Sequence, residues 1–415
     1  MRVIDGHAVH GARSRRAAPP ISNWPGYTLQ FSDNVSFLEP SATLALAARA
    51  RELSERGRSI VDLSKGEPAY PTPEYAAEAG VRAIREGRTG YPPTAGVPEL
   101  REAAAGYLNE TTDQGDVAPR EVLVSVGVKQ ALFNAVYCLF GPGDEVLVPA
   151  PYWPTYPPLV RLAGAEPVVV HTRWEDRYRL TPDLLEEHRT ERTRGVLLNS
   201  PSNPTGMVYP REDLAAVAEW CGRHDVWALS DEIYRELCYD DRRAPSLLDV
   251  PHRSDRSVVF AGASKALCMP GWRIGFAAGP EELIGKAGDL QSQTTSGAAT
   301  PSQYAAAEAF GNRERREEAT ARFRGQLEEL REMGTDALSG LDRLEVRAPE
   351  GAIYFYLRLR DGDSMDEAES LLTEAGVAGL PGDPFGDPGH LRFNFAVRPE
   401  TLEEGLARLV DHFGG

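Results

Sequence analysis

Between residues 122 and 278 the chain alternates short, continuous apolar runs with stretches of helical period, and few folds accept that pattern. The runs are VLVSV (122–126), EVLVP (145–149), PVVVH (167–171), GVLLN (195–199), VWALS (226–230), SVVFA (257–261) and IGFAA (274–278). A strand with one wet face shows a polar residue at every second position. These runs do not, which makes them strands buried on both faces. Amphipathic helices fit between several of them, such as KQALFNAVYCLF (129–140) and REDLAAVAEWCGRH (211–224). The expectation is an α/β fold with a mostly parallel, seven-stranded sheet covered by helices.

The flanks read differently. From Ser41, SATLALAARARELSERG has helical spacing, with Ser41 placed to cap the helix and Gly57 to stop it. Beyond the sheet region comes a long charged helix over roughly 311–334, then strand pieces YFYLRL (354–359) and LRFNFA (391–396) with two more helices, the make-up of a smaller α+β domain. The first 37 residues are rich in Arg, Pro, Ser and Gly without a period and read as an irregular arm, in which Trp24, Tyr27 and Phe31 are candidates to cover a site or a partner subunit.

Charge removes whole classes of function. The 45 basic and 62 acidic residues sum to −17, a surface that repels a nucleic-acid polyanion, and only Arg13, Arg15 and Arg16 cluster against that trend. No apolar run approaches the ~20 residues that span a bilayer. Cys138, Cys221, Cys238 and Cys268 are scattered without a C-x-x-C pair, so neither a disulfide framework nor a metal site is expected, and the compartment expected is the cytoplasm. Lysine is scarce: Lys65, Lys129, Lys265 and Lys286 are the only four, against 41 arginines. A chain that uses arginine nearly everywhere keeps lysine where a neutral amine or a Schiff base is required, unless codon bias alone explains it.

Six local patterns carry possible chemistry. In SVGVKQALFNA a strand turns at Gly127 directly into a helix, whose free N–H groups suit a phosphate, with Lys129 adding a point charge. Asn203 lies in NSPSNPTG, a loop at the end of a buried strand, where α/β folds bind ligands and where turns are also common. In SDEIY, Asp231 ends a strand and can pair with a cationic ring nitrogen, Tyr234 can reach a ring oxygen, and helix capping is the plainer role for Asp231. In AGASKALCMPGWRIG, Lys265 is a Schiff-base candidate and Arg273 can fork onto phosphate. Arg392 sits inside the apolar strand LRFNFA, which implies an ion pair or a bound acid. Tyr91 in TGYPPTAG and Trp153 in APYWPTY are aromatic and, taken alone, read as packing.

Taken in order, SKGEP, TGYPPTAGVPELREA, SVGVKQALFNA, PGDEVLVPAPYWPTYP, NSPSNPTG, LSDEIY, ASKALCMPGWRIG and HLRFNFA strongly resemble the fold-type I pyridoxal-phosphate enzymes of the aspartate aminotransferase family, over about residues 40 to 412. The resemblance implies an aminotransferase that exchanges an amino group between an α-amino acid and a 2-oxo acid, with pyridoxal 5′-phosphate as cofactor. It implies Lys265 as the Schiff-base lysine and proton shuttle, Asp231 on the pyridine nitrogen, Tyr234 and Asn203 on the ring's O3′, and Trp153 stacked on the ring. Val128, Lys129 and Arg273 would hold the phosphate, joined by Tyr91 from the neighbouring subunit of a homodimer. Arg392 would clamp the α-carboxylate, with the backbone around Gly66 closing over it and Asn203 alongside. The implied domains are an arm at 1–37, a first small-domain segment at 38–70, a large cofactor domain at 71–310 and the rest of the small domain at 311–415.

Some positions depart from the family's pattern. Lys65 puts a charge near the substrate mouth, Val128 replaces a frequent glycine, Gly262 replaces a frequent hydroxyl residue, and Pro270 precedes the Gly-Trp-Arg. These bear on substrate choice more than on cofactor binding. The same cofactor on the same fold also serves lyases, cyclases, replacement enzymes and oxidases, which form the alternative expectation. A transcription regulator would need a basic helix-turn-helix ahead of residue 40, and the arm is too short and too rich in Pro and Gly.

Overall fold

The computed structural model describes residues 31–40, 42–113, 115–250 and 255–414. Ser41, with its capping role, and Trp24 and Tyr27 of the arm lie outside them. Residues 31–38 belong to a unit of their own, built on a turn in which Val35 N–H bonds the Ser32 carbonyl. Residues 39–415 form the second compact unit.

The strands in chain order are β1 (Val61–Asp62), β2 (Val122–Val126), β3 (Glu145–Ala150), β4 (Glu166–His171), β5 (Thr193–Asn199), β6 (Trp227–Asp231), β7 (Ser257–Gly262), β8 (Ile274–Ala278), β9 (Leu344–Glu345), β10 (Tyr354–Leu359), β11 (Val377–Ala378), β12 (Leu380–Pro381) and β13 (His390–Asn394). All seven runs read from the sequence are strands of one sheet, ordered β2-β8-β7-β6-β5-β3-β4. Neighbouring residues of one strand feed opposite cores: Val196 and Leu198 face one apolar layer, and Leu197 between them faces the other. That two-sided burial is why the runs carry no polar alternation.

One strand runs against the rest. β8 is antiparallel to both β2 and β7, while β3, β4, β5, β6 and β7 pair in parallel. The reason is the connection: residues 263–273 hold only a short 3-10 turn, Pro270–Trp272, and a parallel return needs a full crossover. The carboxyl ends of β2, β3, β5, β6 and β7 therefore share one edge of the sheet with the start of β8. Every loop singled out by sequence pattern between residues 122 and 278 leaves from that edge.

The C-terminal sheet is ordered β12-β13-β10-β9 and is antiparallel throughout, and its core is formed by Phe355, Leu357, Leu391, Phe393 and Phe395 with the long helix Arg313–Leu338. The strand of LRFNFA is shorter than read: Phe395 and Ala396 lie beyond its end. The pair β1 and β11, parallel, ties the segment before residue 70 to this C-terminal part. The first helix, Ala42–Glu55, ends before Gly57, whose φ of +88° stops it.

Candidate active site

Five strand ends place the side chains. Asp231 is the last residue of β6 and is only 2% exposed. Its Oδ2 accepts a hydrogen bond from Tyr156 Oη at 2.9 Å, and its Oδ1 accepts one from the Ile233 N–H at 3.2 Å. Burial raises its pKa from 3.8 to about 6, against the pull of those two donors. Its carbonyl is bonded by Asn199 Nδ2 at 2.8 Å, and Asn199 Oδ1 in turn accepts from the Asn203 N–H at 2.7 Å. Asn199, at the end of β5, thus fixes the next strand's acid and the following loop's asparagine together.

Asn203 is turned toward the C-terminal sheet. Its Oδ1 accepts from Arg392 Nη1 at 2.8 Å, as it must, because a guanidinium only donates. Arg392 Nη2 donates to the Ser64 carbonyl at 2.9 Å, and the guanidinium carbon lies 4.3 Å from the Tyr354 ring centroid and 5.0 Å from that of Phe385. Arg392 is 2% exposed, yet among the described residues its Nε has no partner and no carboxylate pairs with it. Burial lowers its pKa, opposed by the tyrosines 354, 234 and 356 around it.

Lys265 follows β7, and its Nζ donates to the Gly66 carbonyl and lies 5.5 Å from the Tyr234 ring centroid. Tyr234 is buried, and burial raises its pKa well above the phenol value; its hydroxyl is 2.7 Å from that of Tyr354. Lys265, Asp231, Tyr234, Asn203, Arg392 and Gly66 therefore form one continuous constellation.

The helix Val128–Leu139 starts at the same sheet edge, after Gly127 with φ +77°. A side chain on Gly127 would meet Arg273 Nη2 at 2.6 Å, and one on Gly275 would overlap the Val128 backbone nitrogen. The chain is thus pared down around a helix N-terminus with an arginine beside it, a cradle suited to a phosphate. Lys129 Nζ lies 4.8 Å from the Trp153 ring centroid; burial, then Arg273, lowers its pKa. Trp153 meets Tyr156 edge to face at 5.5 Å. Gly262 has a local cause: a side chain there would sit 2.9 Å from Gly275 Cα and from the Ile274 carbonyl, so no hydroxyl residue fits between β7 and β8.

Two expected residues are exposed. Lys65, between Ser64 and Gly66 of the site, is half-exposed and pairs with Asp62 at 3.3 Å, and Tyr91 is 97% exposed. Tyr156, Asn199, Ser64, Tyr354 and Phe385 had not been singled out. Tyr156 stood in the same PYWPTYP stretch as Trp153, and Tyr354 was hidden in a strand that read as core.

The pattern of the family described as aminotransferase class I and II matches residues 58–409. The chain belongs to the class I and II aminotransferases. It is 42% identical to a probable aspartate/prephenate aminotransferase of Thermus aquaticus, over 91% of this chain and 98% of that protein. It is 38% identical to an aspartate aminotransferase of Geobacillus stearothermophilus, over 92% of this chain and 98% of that one. The solved aspartate aminotransferase from Thermus thermophilus with maleate superposes with a TM-score of 0.89 at 39% identity, covering 92% of this chain and all of that one. This aminotransferase thus has the reaction class read first from its sequence, and the lyase, cyclase, replacement and oxidase alternative is not favoured. Among the described residues, no helix is long and apolar enough to cross a membrane.

Proposed function

We propose that this aminotransferase works in the cytoplasm as a homodimer with pyridoxal 5′-phosphate, moving an amino group between an α-amino acid and a 2-oxo acid, with aspartate the first donor to test. The observation that carries the substrate class is Arg392, a buried guanidinium over two aromatic rings with, among the described residues, one nitrogen unpartnered and no counter-ion. A buried unpaired cation is costly, and a bidentate carboxylate relieves that cost on binding. Aspartate is favoured because relatives at 38–42% identity are named for it.

The residues present fit the cofactor. Asp231, whose buried carboxylate has two donors among the described residues, would hold the proton on the ring nitrogen. Trp153 would cover the ring, Tyr234 and the free Nδ2 of Asn203 would donate to its phenolic oxygen, and the phosphate would rest on the Val128 and Lys129 end of the helix with Arg273. Bound there, the cofactor supplies an electron sink for the bonds at the substrate's Cα. The chain's own work is to place that carbon. Arg392 and the Ser64–Gly66 backbone would orient the carboxylate, and the Lys265 amine would carry the proton between the substrate's Cα and the cofactor's C4′. Tyr156 keeps Asp231 fixed and dry. Tyr91 would reach the phosphate of the neighbouring subunit, and the segments 38–70 and 311–415 would together form the small domain against 71–310.

The test is a single half-reaction. Loaded enzyme mixed with aspartate and no acceptor is expected to release one equivalent of the matching 2-oxo acid per subunit, and Lys265→Ala none. Continued turnover without an acceptor, or a product other than the oxo acid, would defeat the proposal.

A further inference from the structure

Three functional groups of the site converge on a side chain that belongs to none of them. Tyr354 lies on β10, fully buried, in register with Asn394 and on the same sheet face as Arg392 two residues along β13. Its ring carries the Arg392 guanidinium at 4.3 Å, and its hydroxyl is 2.7 Å from that of Tyr234, the two rings meeting edge to face at 5.8 Å. The same hydroxyl would stand 3.0 Å from a Cβ on Gly66, the residue whose carbonyl receives Lys265. A tyrosine kept only for packing could have given its hydrogen to a carbonyl, as Tyr239 does to Ala352. Tyr354 gives it, or takes one, within a pair of phenols at the centre of the site.

Resting on the reading of the site given above, we propose that Tyr354 is a positioning residue: its hydroxyl sets the direction and strength of the Tyr234 hydrogen bond, and its ring sets the height of Arg392. The hydrogen count fixes the direction. A phenol has one hydrogen to donate. If Tyr234 donates to the cofactor's phenolic oxygen, the hydrogen between the two tyrosines must come from Tyr354. A phenol that accepts one hydrogen bond donates the next more strongly, so Tyr354 strengthens the bond that stabilises negative charge on that oxygen. One side chain thereby joins the carboxylate site to the cofactor's electronics.

The two halves separate by substitution in the full-length loaded enzyme. Tyr354→Phe keeps the ring and loses the hydroxyl. The pH titration of the bound cofactor's visible absorbance is expected to move upward by about 0.5 unit or more, in the direction of Tyr234→Phe but by less, with KM for the amino acid changed less than about twofold. In the Tyr234→Phe background, adding Tyr354→Phe is expected to move the titration no further. Tyr354→Leu removes the ring, and KM is expected to rise about tenfold. A Tyr354→Phe titration identical to wild type, while Tyr234→Phe shifts, overturns the inference and leaves the site reading intact. An additive further shift in the double variant also overturns it. No effect of Tyr234→Phe itself would remove the site reading and the inference with it.

Discussion

Tyr156 donates its hydroxyl hydrogen to Asp231 Oδ2 across 2.9 Å, and each of the two residues is only 2% exposed. The pair is made by two strand ends, since Tyr156 opens the helix after β3 and Asp231 closes β6. It holds a carboxylate in a dry place, where ionisation is unfavourable until a cation arrives.

A pH dependence follows in the cofactor-free protein. Burial raises the Asp231 pKa from 3.8 to about 6, so the folded chain holds this proton more tightly than the unfolded one. The stability from that proton is complete below about pH 4 and lost as pH rises through about 6. Asp231→Asn has no proton to lose. Urea unfolding of both proteins between pH 5 and 7.5 should show the wild type losing about 1 kcal/mol relative to the variant, with a flat difference above pH 7. A constant difference across the range would mean that Asp231 is not held in this way.

Arg392 gives a kinetic prediction. If its fork holds the carboxylate common to every α-amino acid, as proposed, Arg392→Ala should lower kcat/KM by about 100-fold or more for all donors alike. Arg392→Lys keeps a charge but neither the fork nor the stacking between Tyr354 and Phe385, and should recover no more than about tenfold of that loss. A panel of donors measured with each variant checks it. A loss confined to one donor would place Arg392 on the side chain instead.

The sheet was legible because burial on both faces writes itself as unbroken Val and Leu runs, and the loops along one of its edges were legible because glycine and proline fall together in turn pairs right after the strands and lysine is scarce. What stayed hidden acts through tertiary register. Tyr354 meets Tyr234 only because β10 lies across from the β6–β7 side, and a tyrosine in YFYLRL has no local signal of that. Asn199 looked like the end of a strand; its bond from the Asn203 N–H is local, but its bond to the Asp231 carbonyl exists only once β5 and β6 are paired. Lys65 shows the reverse case, a side chain with a local partner that the sequence reading did not weigh. Its charge stood out in the sequence, while Asp62, three residues earlier, already takes it up.

The crossing of β8 with the start of the helix Val128–Leu139 predicts an asymmetry between two glycines. A Cβ on Gly275 would overlap the Val128 backbone nitrogen, which cannot move without displacing the helix end beside Arg273. Gly275→Ala should cost about 2 kcal/mol or more and weaken cofactor binding together with it. Gly288, inside the helix Glu281–Thr294, has only Leu123 Cδ1 at 4.0 Å, and Gly288→Ala should stabilise by about 0.5–1 kcal/mol. Thermal unfolding and cofactor titration of the two variants compare them directly, and equal behaviour would contradict the close approach.

Tyr91 is 97% exposed and joins no hydrophobic cluster among the described residues, which suits a residue that acts in a second copy. Tyr91→Phe should weaken cofactor affinity about tenfold, the effect of one hydrogen bond to a charged phosphate. The direction of reach is decided by mixing. In a hybrid of a Lys265→Ala subunit and a Tyr91→Phe subunit, one site combines the intact Lys265 of the second with the intact Tyr91 of the first. If Tyr91 crosses between subunits, that site binds the cofactor with wild-type affinity and the mixture gains activity at low cofactor concentration. If Tyr91 serves its own chain, every intact Lys265 is paired with Phe at position 91, and mixing restores nothing.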